Sequence, residues 1–372
     1  MVSLISNMID GITRPTLLLD VKKMESNIDN MLAKAKQTET LLVPHFKTHQ
    51  STEIGDLFKS KGINAITVSS IAMAEYFVDA GWKDITVAFP FNQLEIQSVN
   101  KFLDQGVSLK LLITDLESVA FLSDHLTSSL DVFIEIDAGY GRSGVPAKEN
   151  ELISEIALNV SNSKHLNLYG LYCHPGDTYH AESTVEIERI WSDAITKLTS
   201  LKGDLNSISN YLKIRIGDTP GCSIVKDMTG VDEIGPGNFV FFDLVMNHLN
   251  VCEEDEIAVA VACPLVAKYP ERNEILIHGG AVHFSKDHLF DNSQQKFFGE
   301  LVILQPDGWS SIIEGAKLTS ISQEHGILKV TNELMDVLNI GDIVGILPIH
   351  SCLTANLMGS YLTLEGNKIA HM

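Results

Sequence analysis

Positive charge is scarce in this chain: 27 Lys and Arg residues stand against 48 Asp and Glu, for a formal net charge of −21. Such an excess of acid repels nucleic acid and anionic membrane surfaces, so neither is an expected partner. Cysteine is also scarce. Five residues (Cys173, Cys222, Cys252, Cys263, Cys352) are odd in number and widely scattered, which fits a reducing cytoplasm better than a disulfide framework. No segment reaches the roughly 20 apolar residues that a membrane helix needs, and the opening "MVSLISNMIDGITRP" has neither a basic leader nor an unbroken apolar core. A soluble cytoplasmic protein is expected. Low-complexity linkers and short repeats are missing as well, and a length of 372 residues with 45% hydrophobic content suffices for one large domain and a smaller one.

What the chain does have is rhythm. Strand-like runs occur at 40–47, 64–70, 84–90, 109–114, 131–137, 166–174, 211–219 and 238–243, with helical patterns between them. In "DVKKMESNIDNMLAKAK", Val21, Met24, Ile28, Met31, Leu32 and Ala35 recur at three- and four-residue spacing behind a possible cap at Asp20. Eight strands alternating with helices predict a (β/α)8 barrel over 12–245. Beyond that point strands follow one another without helices between them, separated by turn-rich pieces such as "YPERNE" and "QPDGWS". A smaller all-β domain is expected over 246–372, with residues 1–11 packing against it.

Barrel chemistry sits at the carboxyl ends of the strands. The first run ends in "VPHFKTHQ", where strand alternation would put His45, Lys47 and His49 on one face. The fifth ends in "EIDAGYGRSG", the sixth in "YCHPGDTY", the seventh in "GDTPG", and "IGPGN" leads into the eighth. Glycine-rich turns free backbone N–H groups to converge on an anion, and two of them at adjacent strand ends suit a phosphate. In "LPIHSCLTANL", His350 and Cys352 stand two apart, so an extended segment would point both to one side, and imidazole with thiolate favours zinc. Two ligands alone do not define a metal site.

Lys47 in "PHFKTH", Arg142 in "DAGYGRSG", "YCH" at 172–174, "PGN" at 236–238 and "IHSC" at 349–352 occur in the order found in the D-serine dehydratase and D-threonine aldolase family. The chain resembles that family, part of the alanine-racemase-like, fold-type III pyridoxal-phosphate enzymes, over nearly its whole length. The resemblance implies that Lys47 is the Schiff-base lysine, that Arg142 lies near the phenolic oxygen of the cofactor, and that Tyr172 meets its ring nitrogen. It assigns Thr219, Gly221, Gly237 and Asn238 to the phosphate cup, and His350 and Cys352 to zinc or another divalent metal. In the dehydratase branch the matching pair binds zinc, whereas aldolase relatives more often carry aspartate where Cys352 stands. The implied reaction is elimination of water from a D-3-hydroxy amino acid to give a keto acid and ammonia. Retro-aldol cleavage to glycine and an aldehyde is the alternative; racemisation and non-catalytic cofactor binding rank below it. The resemblance also implies a homodimer. It leaves His45, His49 and His283 without roles.

Overall fold

The computed structural model describes residues 11–372, and these fall into two compact units. One comprises Asp29–Lys47 and Gly55–Gly237; the other comprises the described residues up to Ile28, Thr48–Ile54 and Asn238–Met372. The expected packing of residues 1–11 falls, Gly11 apart, outside the described residues.

The first unit is the barrel that the alternation predicts. Its strands are β1 (Leu41–Leu42), β2 (Ala65–Val68), β3 (Asp84–Pro90), β4 (Ser108–Ile113), β5 (Leu130–Asp137), β6 (Leu166–Cys173), β7 (Lys213–Ile216) and β8 (Glu233–Ile234). They lie in the order β1-β8-β7-β6-β5-β4-β3-β2, every pair parallel. A parallel bridge from His45 to Thr67 joins the two ends of that row and closes the ring. Inside it, buried Arg215 donates from Nε to Glu233 at 2.6 Å and from an Nη to Thr86 at 2.7 Å, while Tyr169 donates its hydroxyl to Glu233 at 2.6 Å. Each buried charge thereby has a partner, which the low-dielectric interior demands.

Seven strands fall on the predicted runs, mostly shortened. The eighth does not. β8 is Glu233–Ile234, whereas Asn238–Val240 form a single 3-10 turn in the other unit. The predicted run 238–243 is apolar because Phe239, Val240 and Phe241 are buried, and a short apolar run can be a buried turn as readily as a strand. The helix predicted behind Asp20 spans Val21–Gln37, and Asp20 Oδ1 accepts from the N–H groups of Lys22 and Lys23 at 3.0 and 3.1 Å. Met24, Ile28, Met31 and Ala35 form its buried stripe.

The second unit is built on antiparallel strands. Val259–Tyr269, Glu274–His278, His325–Lys329, Lys317–Ile321, Gly299–Val302 and Ile343–Pro348 pair in that order, and the last returns to the first, closing a six-stranded barrel. Thr16–Leu19 and Ser360–Thr363 extend the sheet beyond Val259–Tyr269. The unit is not purely β: helices occur at Asn332–Val337 and Ser351–Met358.

Candidate active site

In the barrel unit the chain does not continue as a strand through "HFKTH". After the His45 bridge it turns over Phe46–His49, so the predicted alternation of His45, Lys47 and His49 on one face fails. Both histidines hold the turn itself: His45 Nδ1 accepts from the Lys47 N–H at 3.3 Å, and His49 Nδ1 accepts from the Ser51 N–H at 3.1 Å. Phe46 anchors it, with ring centroids 5.0 Å from Phe58, 5.0 Å from Phe77 and 5.2 Å from Trp82. Lys47, between these fixed neighbours, is exposed.

The turn after β5 is fixed by its own aspartate. Asp137 Oδ1 accepts from the N–H groups of Gly139 and Gly141 at 2.9 and 3.0 Å. Gly144, at φ +99°, could carry no side chain, because a Cβ would stand 2.8 Å from the Asp137 nitrogen. This folding projects Arg142, whose guanidinium lies 5.7 Å from the Tyr140 ring centre. Beside it, Glu135 is 3% exposed and accepts from the Ser143 hydroxyl at 2.7 Å. Burial raises the Glu135 carboxyl above its ordinary range, against the pull of that hydrogen bond and of Arg142.

Tyr172, near the end of β6, is buried with Leu112 and Phe133. Burial pushes its phenol up to about 12, the Arg215 charge opposing, so Tyr172 is a neutral hydrogen-bond donor. Two residues on, His174 donates from Nδ1 to the Gly217 carbonyl at 2.5 Å. Burial, then the positive charges of Arg142 and Lys47, bring its pKa down to about 3. His174 is therefore neutral at physiological pH, with an unprotonated Nε2. The quoted "YCH" contained it, but no role followed from spacing alone.

After β7, Asp218 caps the short helix Thr219–Ile224, accepting from the Gly221 N–H at 2.6 Å, the Thr178 hydroxyl at 2.7 Å and Trp191 Nε1 at 2.5 Å. Gly221 is glycine for packing: a Cβ there would lie 2.1 Å from Trp191 Nε1. Thr219 Oγ1 is buried and has no hydrogen-bond partner, an exception that asks for an explanation. A phosphate oxygen would satisfy it. Gly237 is buried in the loop after β8.

In the second unit the His-x-Cys pair is not on an extended segment. His350 is the N-cap of the helix Ser351–Met358, and Cys352 lies in its first turn. His350 donates from Nδ1 to Asp287 Oδ2 at 2.8 Å. Cys352 Sγ lies 3.2 Å from Thr48 Oγ1 and 3.7 Å from Asn238 Nδ2. Asn238 does not turn its side chain to a phosphate cup: Nδ2 donates to Asp243 Oδ2 at 2.5 Å and to Ser351 Oγ at 3.1 Å. Burial works against charge on His350, but the hydrogen bond to Asp287 and then the Cys352 sulfur outweigh it and hold the imidazole up to about 11. The cluster demands positive charge. The donor set fits a borderline divalent cation: Asp287 fixes His350 Nδ1, which leaves Nε2 as the ligand atom beside a thiol. Asp287 lies four residues beyond His283, and a carboxylate that orients a ligating histidine was the signal to seek there.

Two family models match the chain. The model described as "Alanine racemase, N-terminal domain" covers residues 19–214, and that described as "Putative serine dehydratase domain" covers residues 258–364. D-serine dehydratase of Dictyostelium discoideum is 28% identical over 96% of this chain and 95% of its own length. D-threo-3-hydroxyaspartate dehydratase of Delftia sp. (strain HT23) is 26% identical over 95% and 94%. Its solved structure superposes with a TM-score of 0.90, at 23% identity, over 98% of this chain and 99% of that one. 3-hydroxy-D-aspartate aldolase of Paracoccus denitrificans (strain Pd 1222) is 24% identical over 96% and 90%.

Proposed function

This chain belongs to the alanine racemase N-terminal domain family, and on that premise we propose that it is a pyridoxal-phosphate- and zinc-dependent lyase that removes water from a D-3-hydroxy amino acid, yielding a keto acid and ammonia. The observation that carries the reading is the pairing of Asp287-oriented His350 with the Cys352 thiol, a donor set suited to zinc. When bound, pyridoxal phosphate supplies an electron sink for bonds at Cα, and zinc supplies a Lewis acid for the β-hydroxyl.

The chain's own residues divide the remaining work. Lys47 would hold the cofactor through Nζ, and its amine is the group that would hold or move a proton there. Arg142 and neutral Tyr172 orient the cofactor ring. Because Tyr172 stays uncharged, it would offer a ring nitrogen a hydrogen bond without stabilising a full positive charge there, which would favour elimination over prolonged carbanion storage. The unpartnered Thr219 hydroxyl, with Gly221, Gly237 and the Asn238 backbone, would hold the phosphate. The five cysteines, all buried and none in a disulfide, support a cytoplasmic setting, and among the described residues no helix is long and apolar enough to cross a membrane. A homodimer completes the reading.

The deciding assay supplies D-serine, D-threonine and D-threo-3-hydroxyaspartate separately to the zinc-loaded enzyme. Ammonia and a keto acid from at least one of them, with little turnover of the L-isomers, is the expected result. Dominant release of glycine and an aldehyde would make the chain an aldolase.

A further inference from the structure

His283, singled out in the sequence and unused by the proposed reaction, lies in a second cluster of potential ligands. We infer that His278, His283 and Glu324 form another divalent-cation site, separate from the His350–Cys352 pair. His278 closes the strand Glu274–His278, His283 lies in the one-turn helix Ala281–Phe284, and Glu324 stands in the turn between Lys317–Ile321 and His325–Lys329. Glu324 Oε2 is 3.4 Å from His278 Nε2 and 3.7 Å from His283 Nε2, and the ligand atoms of the three residues all lie within 4.8 Å of one another. Zinc bonds of about 2.0–2.2 Å in a tetrahedron place neighbouring ligand atoms roughly 3.3–3.6 Å apart. Two edges of the cluster already approach that spacing without a metal.

The plain alternative is an ion pair between Glu324 and the histidines. At 3.7 Å, His283 Nε2 stands too far from Glu324 Oε2 for a hydrogen bond, and a shared cation would bridge that gap. Two histidines and one carboxylate are the ligand set of open, catalytic-type zinc sites, which keep a position for water. Here the open side adjoins a cavity of about 600 Å³ also lined by Arg14 and Lys368, where water or a small anion can complete the shell.

Filling the site has a structural consequence. His283 Nδ1 accepts from the Gly280 N–H at 3.1 Å, so without metal the ring carries its proton on Nε2 and points it at Glu324. Ligation through Nε2 moves that proton to Nδ1, and the Gly280 hydrogen bond must be given up. Metal binding therefore shifts the His283 tautomer and frees the Gly280 amide.

The test uses the untagged full-length holoenzyme, stripped with chelator and then dialysed against Co2+ or Zn2+. Glu324→Gln and, separately, His278→Gln should each bind about one cation per chain fewer than wild type, while the near-ultraviolet thiolate-to-cobalt absorption that reports Cys352 is unchanged. Zn2+ should also shift the ring nitrogen resonances of His283 in wild type. Glu324 is half exposed, so its substitution leaves the fold intact. Equal stoichiometry in wild type and both variants, or His283 resonances indifferent to Zn2+, would overturn the assignment. Loss of the thiolate band with this difference retained would instead indict the His350–Cys352 site alone.

Discussion

Asp287 touches neither cofactor nor substrate in the proposed scheme, yet its substitution should weaken the metal. Its Oδ2 accepts from His350 Nδ1 at 2.8 Å, and that bond fixes which ring nitrogen faces outward. In Asp287→Asn an amide oxygen can keep the bond while the charge is lost. Asp287→Ala loses both. The two side chains are 42% and 38% exposed, so water screens part of the charge and the hydrogen bond carries most of the effect. Carboxylates that orient a ligating histidine typically contribute 10- to 100-fold in metal affinity. The Asn variant should therefore lose about 10-fold and the Ala variant up to about 100-fold, or roughly 1.4 to 2.7 kcal/mol. Competition for Zn2+ against a chromophoric chelator measures this directly, with far-ultraviolet circular dichroism confirming the fold. An Ala variant that binds Zn2+ as tightly as wild type would refute the role given to His350.

The Thr219 hydroxyl offers a cleaner separation of stability from binding: Thr219→Val removes a buried group that has no partner, so the cofactor-free protein should melt no lower than wild type. Its affinity for pyridoxal phosphate should nonetheless fall about 10-fold or more, the scale of one hydrogen bond to a charged group; unchanged affinity would remove Thr219 from the phosphate cup. Acid should destabilise the fold through His49, whose pKa burial lowers to about 3, with help from His371. An unfolded histidine titrates near 6.5, so the contribution is fully present above that pH and is lost as pH falls from about 6.5 towards 3, at about 1.4 kcal/mol per pH unit. Urea titrations at pH 7.5 and 5.5 should show a smaller loss for His49→Gln than for wild type; identical losses would contradict the buried neutral imidazole.

The barrel was legible because its signal is long and repeated: alternation of strand and helix, and the periodic stripe behind Asp20, do not depend on distant contacts. Where the reading failed, tertiary packing had overridden local pattern. Asn238–Asp243 is apolar because it fills a buried turn, and the strand Thr16–Leu19, too short to stand out, is defined by its partners Val259–Tyr269 and Ser360–Thr363. His45 and His49 sit near Lys47 for a local reason, each accepting a backbone N–H two residues on, which strand periodicity hides. His350 and Cys352 come together through a helix N-terminus and not through a pleat. Asp287 and Asp243 were invisible as partners, since they lie 63 and 108 residues from His350 and Ser351 in the chain. Sequence spacing finds ligands that are neighbours; only folding reveals the carboxylates that orient them.

The account depends most on Lys47 as the anchor of pyridoxal phosphate. Borohydride reduction of the yellow holoenzyme, followed by proteolysis and mass spectrometry, tests it directly, because lysine is the residue that forms the reducible imine with an aldehyde. The expected result is a phosphopyridoxyl group on the peptide carrying Lys47, at about one per chain, and no such adduct in Lys47→Ala. Stoichiometric labelling of another lysine, or labelling that persists in Lys47→Ala, would contradict the account.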